Sequence, residues 1–348
     1  MKKAARKFLK NLIDAVSPSG FENEAVDVWK AELKKYADKI ETDIHGNCIA
    51  VSEEEKSPRV MLAGHIDEVG FMVKYIDENG YIFFSTVGGV DSQVVPGQRV
   101  KIKTDSGYIK GVIGRKPIHL LEDEEKKKAP KTEDLWIDIG SKDEEETKSK
   151  VGIGDAIVFD VGLTELNSDR LTGRGFDDKA GAFVVARVFE ELAGENLKAA
   201  LYSVATVQEE IGLRGARTSA YGISPDIGIA VDVTFASDFP TMNKKKSGDI
   251  KIGGGPVIAR GPNINPRIFK TLVETAEAEE IPYQIQSVST ATGTDANVIQ
   301  TTKSGVATAL ISIPLRYMHT PVEVISTEDL ENTVLLLKKF MERVDEIL

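Results

Sequence analysis

The sequence predicts an α/β protein: a mostly parallel sheet flanked by helices, interrupted by a small inserted β-barrel-like domain. Near-continuous runs of Val, Ile and Ala, as in ALYSVATV, IGIAVDV and VATALISIP, alternate with amphipathic helical patterns. Strands apolar on both faces belong to sheets covered by helices on both sides. Between Val69 and about Gly162 the texture changes to short strands punctuated by turns, the pattern of a small all-β barrel or sandwich. The 348 residues exceed what one simple core ordinarily holds, so the expected division is a discontinuous α/β domain over 1–68 and 164–348 with a β-rich insert over 69–163.

Taken in order, MKKAARKFLKNLIDAV reads as an amphipathic helix; its mixed Lys and Arg do not precede an apolar signal region. Turn chemistry in SPSG and the helical spacing after it predict a second helix from near Phe21. IETDIHGNCIAV and RVMLAGHID are strand-like runs separated by the polar SEEEKSP. The insert carries strands in GFMVKYIDENGYIFFSTVGG, QRVKIKTDSGYIKGVIG, DLWIDIG and DAIVFDVG, helical signal in SKDEEETKSK, and a solvated mixed-charge loop, LEDEEKKKAPKTED. From Leu171 onward, DDKAGAFVVARVFEELAG, PRIFKTLVETAEAEE and DANVIQTTK read as helices among the apolar strands and PYQIQSV, and TEDLENTVLLLKKFMERVDEIL closes the chain as a helix.

Composition narrows the function. A net charge of −11 offers no basic footprint for nucleic acid. No apolar run approaches the roughly 18–20 residues that span a bilayer, so the expectation is a soluble, cytoplasmic protein without membrane or nucleic-acid partners. The single cysteine, Cys48, excludes an intrachain disulfide and a multi-thiolate metal site; within NCIAV it reads as a small buried hydrophobe.

Open α/β sheets bind ligands beyond the carboxyl ends of their strands. Those ends carry His65 and Asp67 (RVMLAGHID), Asp177 and Asp178 (GRGFDDKAG), Glu209 and Glu210 (SVATVQEE), Asp232 (IAVDVT) and His319 (ISIPLRYMHTP). Singly, each has an ordinary structural explanation: His65 a satisfied strand-end histidine, Asp177 a helix N-cap, the two glutamates first-turn residues favoured by a helix dipole. Together the acids would repel one another without a counter-charge. Lys179, Arg214 and Arg316 could supply some, but imidazoles beside carboxylates suit a divalent metal, and a nitrogen and oxygen set without thiolate fits zinc, cobalt or manganese in an open catalytic site. Two histidines and four acids suffice for a pair of ions sharing one carboxylate. Asp67, two residues from His65 on an extended chain, lies on the same face and can orient the imidazole. Of the paired glutamates, one can bind metal while the other acts as general base.

AGHIDEVG, GRGFDDKAG, VQEEIGLRGA, VDVT, GTDA and RYMHTPVE together resemble the tetrahedral aminopeptidases, the glutamyl or deblocking aminopeptidase family of dinuclear metallopeptidases. The resemblance implies a zinc-peptidase-like catalytic domain in which His65 and Asp232 hold one ion, Glu210 and His319 the other, and Asp177 bridges them. It makes Glu209 the general base and Asp67 the orienting acid. It also implies two divalent ions per subunit, zinc before cobalt or manganese. The insert becomes a dimerisation domain, with dimers assembled into a hollow tetrahedral homo-dodecamer acting on short peptides. Gly293, Thr294 and Asp295 resemble the family's loop near substrate, although Asp295 reads equally well as an N-cap. Outside the resemblance, His45 is expected to be exposed and His119 packed. The rival readings are an amidohydrolase or deacylase of the same clan, disfavoured by the β-rich segment between His65 and Asp177; an endoglucanase-like glycosidase, which needs two carboxylates and no metal; and a non-catalytic assembly protein, which would be expected to have lost Glu209 or a ligand.

Overall fold

Alternation along single strands decides how the layers of this protein stack. The structure is a computed structural model and describes residues 1–167 and 169–347. An eight-stranded sheet contains β1 (Lys39–Thr42), β2 (Cys48–Ser52), β3 (Arg59–His65), β12 (Ala200–Thr206), β13 (Ile227–Phe235), β14 (Val257–Arg260), β15 (Gln284–Ser287) and β16 (Ala307–Leu315), in the order β1-β2-β12-β3-β13-β16-β14-β15. Its four inner strands, β12, β3, β13 and β16, run parallel, and β2 and β14 flank them antiparallel. On β3, Val60 and Leu62 face a core with Leu12, Trp29, Phe183 and Phe340, whereas Met61 and Ala63 face a second core with Ala216, Ala220 and Val298. Successive side chains point to opposite faces of a strand, so the apolar run lies between two helical layers.

The insert forms a closed barrel from β4 (Gly70–Ile76), β5 (Ile82–Val87), β6 (Arg99–Thr104), β7 (Gly107–Gly114), β8 (Trp136–Asp138) and β9 (Ala156–Phe159). It has its own core, centred on Phe71, which meets Phe84 and Phe159 edge-on at ring-centroid distances of 5.1 and 5.2 Å. A small third sheet joins β10 (Thr164–Asn167), β11 (Arg170–Gly173) and β17 (Glu323–Ser326). Among the described residues no helix is long and apolar enough to cross a membrane.

Two features seat the helix Phe176–Glu191 on the ends of the inner strands. A Cβ on Gly64 would lie 2.4 Å from the backbone of Gly181, and one on Gly181 would lie 2.4 Å from the carbonyl of Val231; only glycines allow these backbones so close. Where the chain leaves for the barrel, buried Glu68 accepts hydrogen bonds from Arg174, from Lys179 Nζ at 2.7 Å and from Ser17 N at 3.2 Å. Lys179 also donates to the Ala15 carbonyl at 2.8 Å. Glu68 precedes the barrel and Arg174 follows it, so one buried ionic cluster ties together the two strands of chain that enter and leave the insert.

Several local expectations are corrected. IETDIHGNCIAV is a hairpin of β1 and β2, because Asp43 Oδ1 accepts from the backbone of His45, Gly46 and Asn47 and closes an Asx turn. The second helix starts at Asn23, the mixed-charge loop contains the helical turns Asp123–Lys126 and Thr132–Asp134, and the helix in DANVIQTTK covers only Ala296–Ile299. The last helix ends at Glu342 and a 3-10 turn, Val344–Glu346, follows; Leu348 lies outside the described residues. His45 is half-buried and His119 exposed, the reverse of the expectation for each. Cys48 is buried, and burial pushes its thiol up to about 11.

Burial opposes the Glu68 carboxylate, but Arg174 and Lys179 outweigh it and hold its pKa below the ordinary value of 4.5. Its contribution to stability is therefore full above pH 4.5 and lost as pH falls through the depressed value. Glu68→Gln leaves two buried cations without their carboxylate and is expected to cost about 3–5 kcal/mol, because an uncompensated buried charge remains. Urea melts of wild type and variant should converge as the pH is lowered; equal midpoints at pH 7 would contradict this account.

Candidate metal centre

Strand register opens the site. β3 pairs with β12 through His65 and Thr206, but with β13 only as far as Ala63 and Ala230. Past Ala230, Asp232 therefore stands on a strand that has parted from β3. A cavity of about 450 Å³ opens there, lined by His65, Asp177, Glu209, Glu210, Asp232 and His319. Of the eight strand-end residues singled out in the sequence, six line this cavity, while Asp67 and Asp178 are fully buried and do not.

Asp177 stands at the centre. One of its carboxylate oxygens lies 3.2 Å from His65 Nε2, and the other 3.1 Å from His319 Nε2. It is not an N-cap: Gly175, with φ of +65°, holds that place, and Asp177 and Asp178 have non-helical backbone angles. Glu209 Oε2 lies 3.9 Å from His65 Nε2, and Glu210 Oε1 3.3 Å from His319 Nε2. Both glutamates sit in the turn before the helix Arg214–Ile223, not in its first turn. Gln208, Tyr317 and His319 adopt φ of 57°, 63° and 62°. Non-glycine residues in this left-handed region cost of order 1–3 kcal/mol and persist where the surroundings impose them.

Those surroundings are a set of acids directed at backbone N–H groups. Glu323 accepts from Phe176 N at 2.7 Å, Asp177 N at 3.2 Å and His319 N at 2.9 Å. Asp178 accepts from His65 N at 3.2 Å and Gly181 N at 2.9 Å. The Asp67 carboxylate accepts from Glu209 N at 3.0 Å, Glu210 N at 3.2 Å and Ser19 Oγ at 2.5 Å. His65 Nδ1 faces the Asp67 backbone carbonyl at 3.1 Å and its carboxylate at 3.4 Å, so Asp67 touches the imidazole and also carries the paired glutamates. His319 Nδ1 lies 2.7 Å from the carbonyl of Gly89, in the loop after β5. With Nδ1 donating to that carbonyl, it is the neutral form of the imidazole that presents an Nε2 lone pair to the cavity.

Sequence reading missed Glu323, Glu68 and the Gly89 carbonyl. Glu323 had a signal in RYMHTPVE, an acid four residues after His319, but a backbone carbonyl leaves no trace in residue types. Asp295 does not cap its helix; it is buried, Oδ2 accepts from Thr206 Oγ1 at 2.5 Å, and Oδ1 has no hydrogen-bond partner. The candidate cations are committed elsewhere: Lys179 to Glu68, and Arg316 to Asp238 at 2.8 and 2.7 Å, while Arg214 donates to Gln208 Oε1 at 3.4 Å.

The remaining acid excess is visible in the protonation equilibria. Burial, reinforced by Asp232, Asp295 and Glu210 against the opposing His65, pushes Glu209 up to about 10. Burial, with Asp177, raises Asp232 to about 7. Burial and Asp232 raise Asp178 well above the usual carboxylate range. Burial works against the His65 imidazolium, but Glu209, Asp177 and Asp67 raise it well above 6.5, and His319 rises to about 11 through Asp177 and Glu210. Asp177 alone of the cavity acids is depressed, because the two imidazoles outweigh its burial. The buried Glu210 Oε1 has the His319 ring nitrogen as its near polar neighbour, at 3.3 Å. Donor atoms of His65, Asp177 and Glu210 lie within 4.8 Å of one another, as do those of His65, Asp178 and Asp232. Imidazole nitrogens, carboxylate oxygens and an acid excess together fit divalent cations of the zinc, cobalt or manganese type.

Comparison with known proteins agrees with this chemistry. The profile of a family described as M42 glutamyl aminopeptidase matches residues 46–336. A lysyl aminopeptidase of Pyrococcus furiosus is 38% identical over 342 residues, 97% of each chain. A TET aminopeptidase from a marine sediment archaeon of the Thaumarchaeota superposes with a TM-score of 0.94 at 35% identity, covering 98% of this chain and 96% of that one. The TET1 peptidase of Pyrococcus horikoshii, described as assembling into a tetrahedron or a large octahedral shell, superposes with a TM-score of 0.87 at 30% identity over 97% and 99%.

At pH 7 the metal-free centre holds protons on both imidazoles, and a cation bound by the two Nε2 atoms must displace one from each ring. Zinc uptake should therefore release protons, and affinity should rise with pH. Calorimetric titrations at pH 7 in two buffers of different ionisation enthalpy should give different apparent heats; identical heats would contradict the protonated state described.

Proposed function

This chain belongs to the M42 glutamyl aminopeptidase family and is a metal-dependent aminopeptidase, and we propose that it works with two divalent cations arranged about Asp177. His65 and Asp232 would hold one ion, Glu210 and His319 the other, and Asp177 would serve both. The observation that carries this reading is the placement of the two Asp177 oxygens at 3.2 and 3.1 Å from the two Nε2 atoms. Zinc is the first candidate, with cobalt or manganese as alternatives, because affinity order alone does not decide occupancy.

When bound, the ions supply Lewis acidity, lowering the pKa of water toward neutrality and polarising the scissile carbonyl. Glu209 lines the same cavity without a place in the ligand set; it takes the proton of the attacking water and passes it to the departing amine. Asp67 holds the Glu209 and Glu210 backbone and contacts His65, so it fixes both base and ligand. The acidic end of the cavity attracts the ammonium of a free amino terminus, which makes removal of the first residue from short peptides the natural reaction.

We extend the proposal to assembly. The barrel, within the insert over 69–163, exposes Tyr75 and Val112 on its strands and Ile118 and Leu120 just beyond β7, apolar surface suited to an interface. Dimers formed there would build a tetrahedral dodecamer, a form of assembly akin to the tetrahedron described for the TET1 peptidase. The enzyme is taken to be cytoplasmic and without nucleic-acid partners, and its net charge of −11 supports the second point.

Metal-stripped enzyme should be inactive on aminoacyl p-nitroanilides and regain activity with zinc, cobalt or manganese. Activity that survives thorough chelation, or cleavage of a β-glucan in its place, would overturn the reading. Glu209→Gln should retain two metal equivalents by elemental analysis and lose about 10²–10⁴ in kcat; retained turnover would remove Glu209 from the base role.

A further inference from the structure

Away from the acids, the cavity continues along a wall without formal charge. Thr234 and Phe235 at the end of β13, Gln286 on β15, Val288 just beyond it, Leu310 on β16 and Met318 supply its main surfaces. Among the described residues, no Lys or Arg lines the cavity, and no carboxylate does beyond Asp177, Glu209, Glu210 and Asp232. The next charged residues along β13 and β16, Asp238 and Arg316, are locked together by two hydrogen bonds of 2.8 and 2.7 Å. Gln286 is held in place, since its Oε1 accepts from Thr234 Oγ1 at 3.0 Å.

We propose that this wall receives the side chain of the residue being removed, with Gln286 as a specificity-determining group, and that it selects uncharged, mid-sized side chains over lysine and glutamate. The inference rests on the aminopeptidase reading and deepens it. A charged side chain that leaves water needs an opposite charge or a full set of hydrogen bonds, and the wall offers hydroxyl, carboxamide and hydrocarbon. The four acids of the cavity are taken up as the proposed ligand and base set and by the substrate's own amino terminus, which leaves none for a lysine side chain. Discrimination among uncharged side chains should be shallow, because one methylene more or less in such a pocket changes rates by about 10–200-fold at most. Similarity to a lysyl aminopeptidase thus does not carry lysine preference with it.

The test compares kcat/KM for Leu-, Gln-, Lys- and Glu-p-nitroanilide with the zinc-loaded enzyme. Leu and Gln should exceed Lys and Glu at least tenfold, and a smaller ratio overturns the pocket assignment. If all four substrates are inert, it is the aminopeptidase reading that fails. Free leucine, lysine and glutamate give a readout independent of turnover: as competitive ligands in calorimetry, leucine should bind at least tenfold more tightly, and equal affinities overturn the proposal. Gln286→Glu keeps an acceptor for Thr234 and adds one negative charge to the wall. It should raise the Lys-to-Leu ratio at least fivefold within the same preparation, a ratio insensitive to the folded fraction; an unchanged ratio removes Gln286 from the specificity role.

Discussion

The centre of this protein depends on one electrostatic constraint: more carboxylates are buried at the strand ends than the chain's own cations can neutralise. Glu209, Glu210 and Asp232 have raised pKa values, while Asp177 alone among the cavity acids is depressed, because imidazoles stand on both of its sides. An arrangement of this kind is costly for an isolated fold. It becomes intelligible when the missing charge is supplied by divalent ions, which is also what gives the site its chemistry. Stability and function therefore pull in opposite directions here, and the rest of the architecture holds the acids together against their repulsion.

That support is built from acids of a second kind. Asp67, Asp178 and Glu323 are buried too, but their oxygens accept backbone N–H groups from the segments that carry the cavity residues. They fix the positions of His65, Asp177, Glu209, Glu210 and His319 in a chain whose local backbone, at Gln208 and His319, would otherwise leave the left-handed region. The glycines at 64 and 181 act in the same direction sterically, allowing the helix Phe176–Glu191 to rest on the ends of β3 and β13. Side chains that bind and side chains that position are thus interleaved in sequence, as in the adjacent pair Asp177 and Asp178.

This interleaving explains what could be read from the sequence. The α/β class and the barrel were legible because burial on two faces and short-period turns leave strong composition signals. The cavity acids were legible because strand ends of an open sheet gather at one rim. Adjacency in sequence could not say which member of Asp177–Asp178 faces the cavity, since that depends on the path of the backbone into the helix. Nor could it find Glu68: an acid beside AGHID looks like another rim carboxylate, and only the return of the chain at Arg174 shows that it binds a guanidinium and a lysine instead. The hairpin at Asp43 and the short strands β10, β11, β14 and β17 were missed for a simpler reason. Each is too short for periodicity to register against turn chemistry.

The barrel is more than an appendage in this scheme. Its loop after β5 brings Gly89 O to His319 Nδ1 at 2.7 Å, and a Cβ on Gly88 would meet the Val69 side chain at 2.9 Å and Glu210 Cβ at 3.3 Å. Two residues assigned here to the same ion, Glu210 and His319, therefore lie against backbone that belongs to the insert. The insert leaves the sheet just past His65 and returns just before Asp177, so both ends of its chain are also anchored at the centre. Because the ring nitrogen that would ligate metal is selected by the hydrogen bond made at the other nitrogen, the placement of the barrel sets the chemistry of His319. Without the insert, His319 would lose the carbonyl that faces its Nδ1, so on the proposed ligand set the barrel and the sheet act as one unit at this centre.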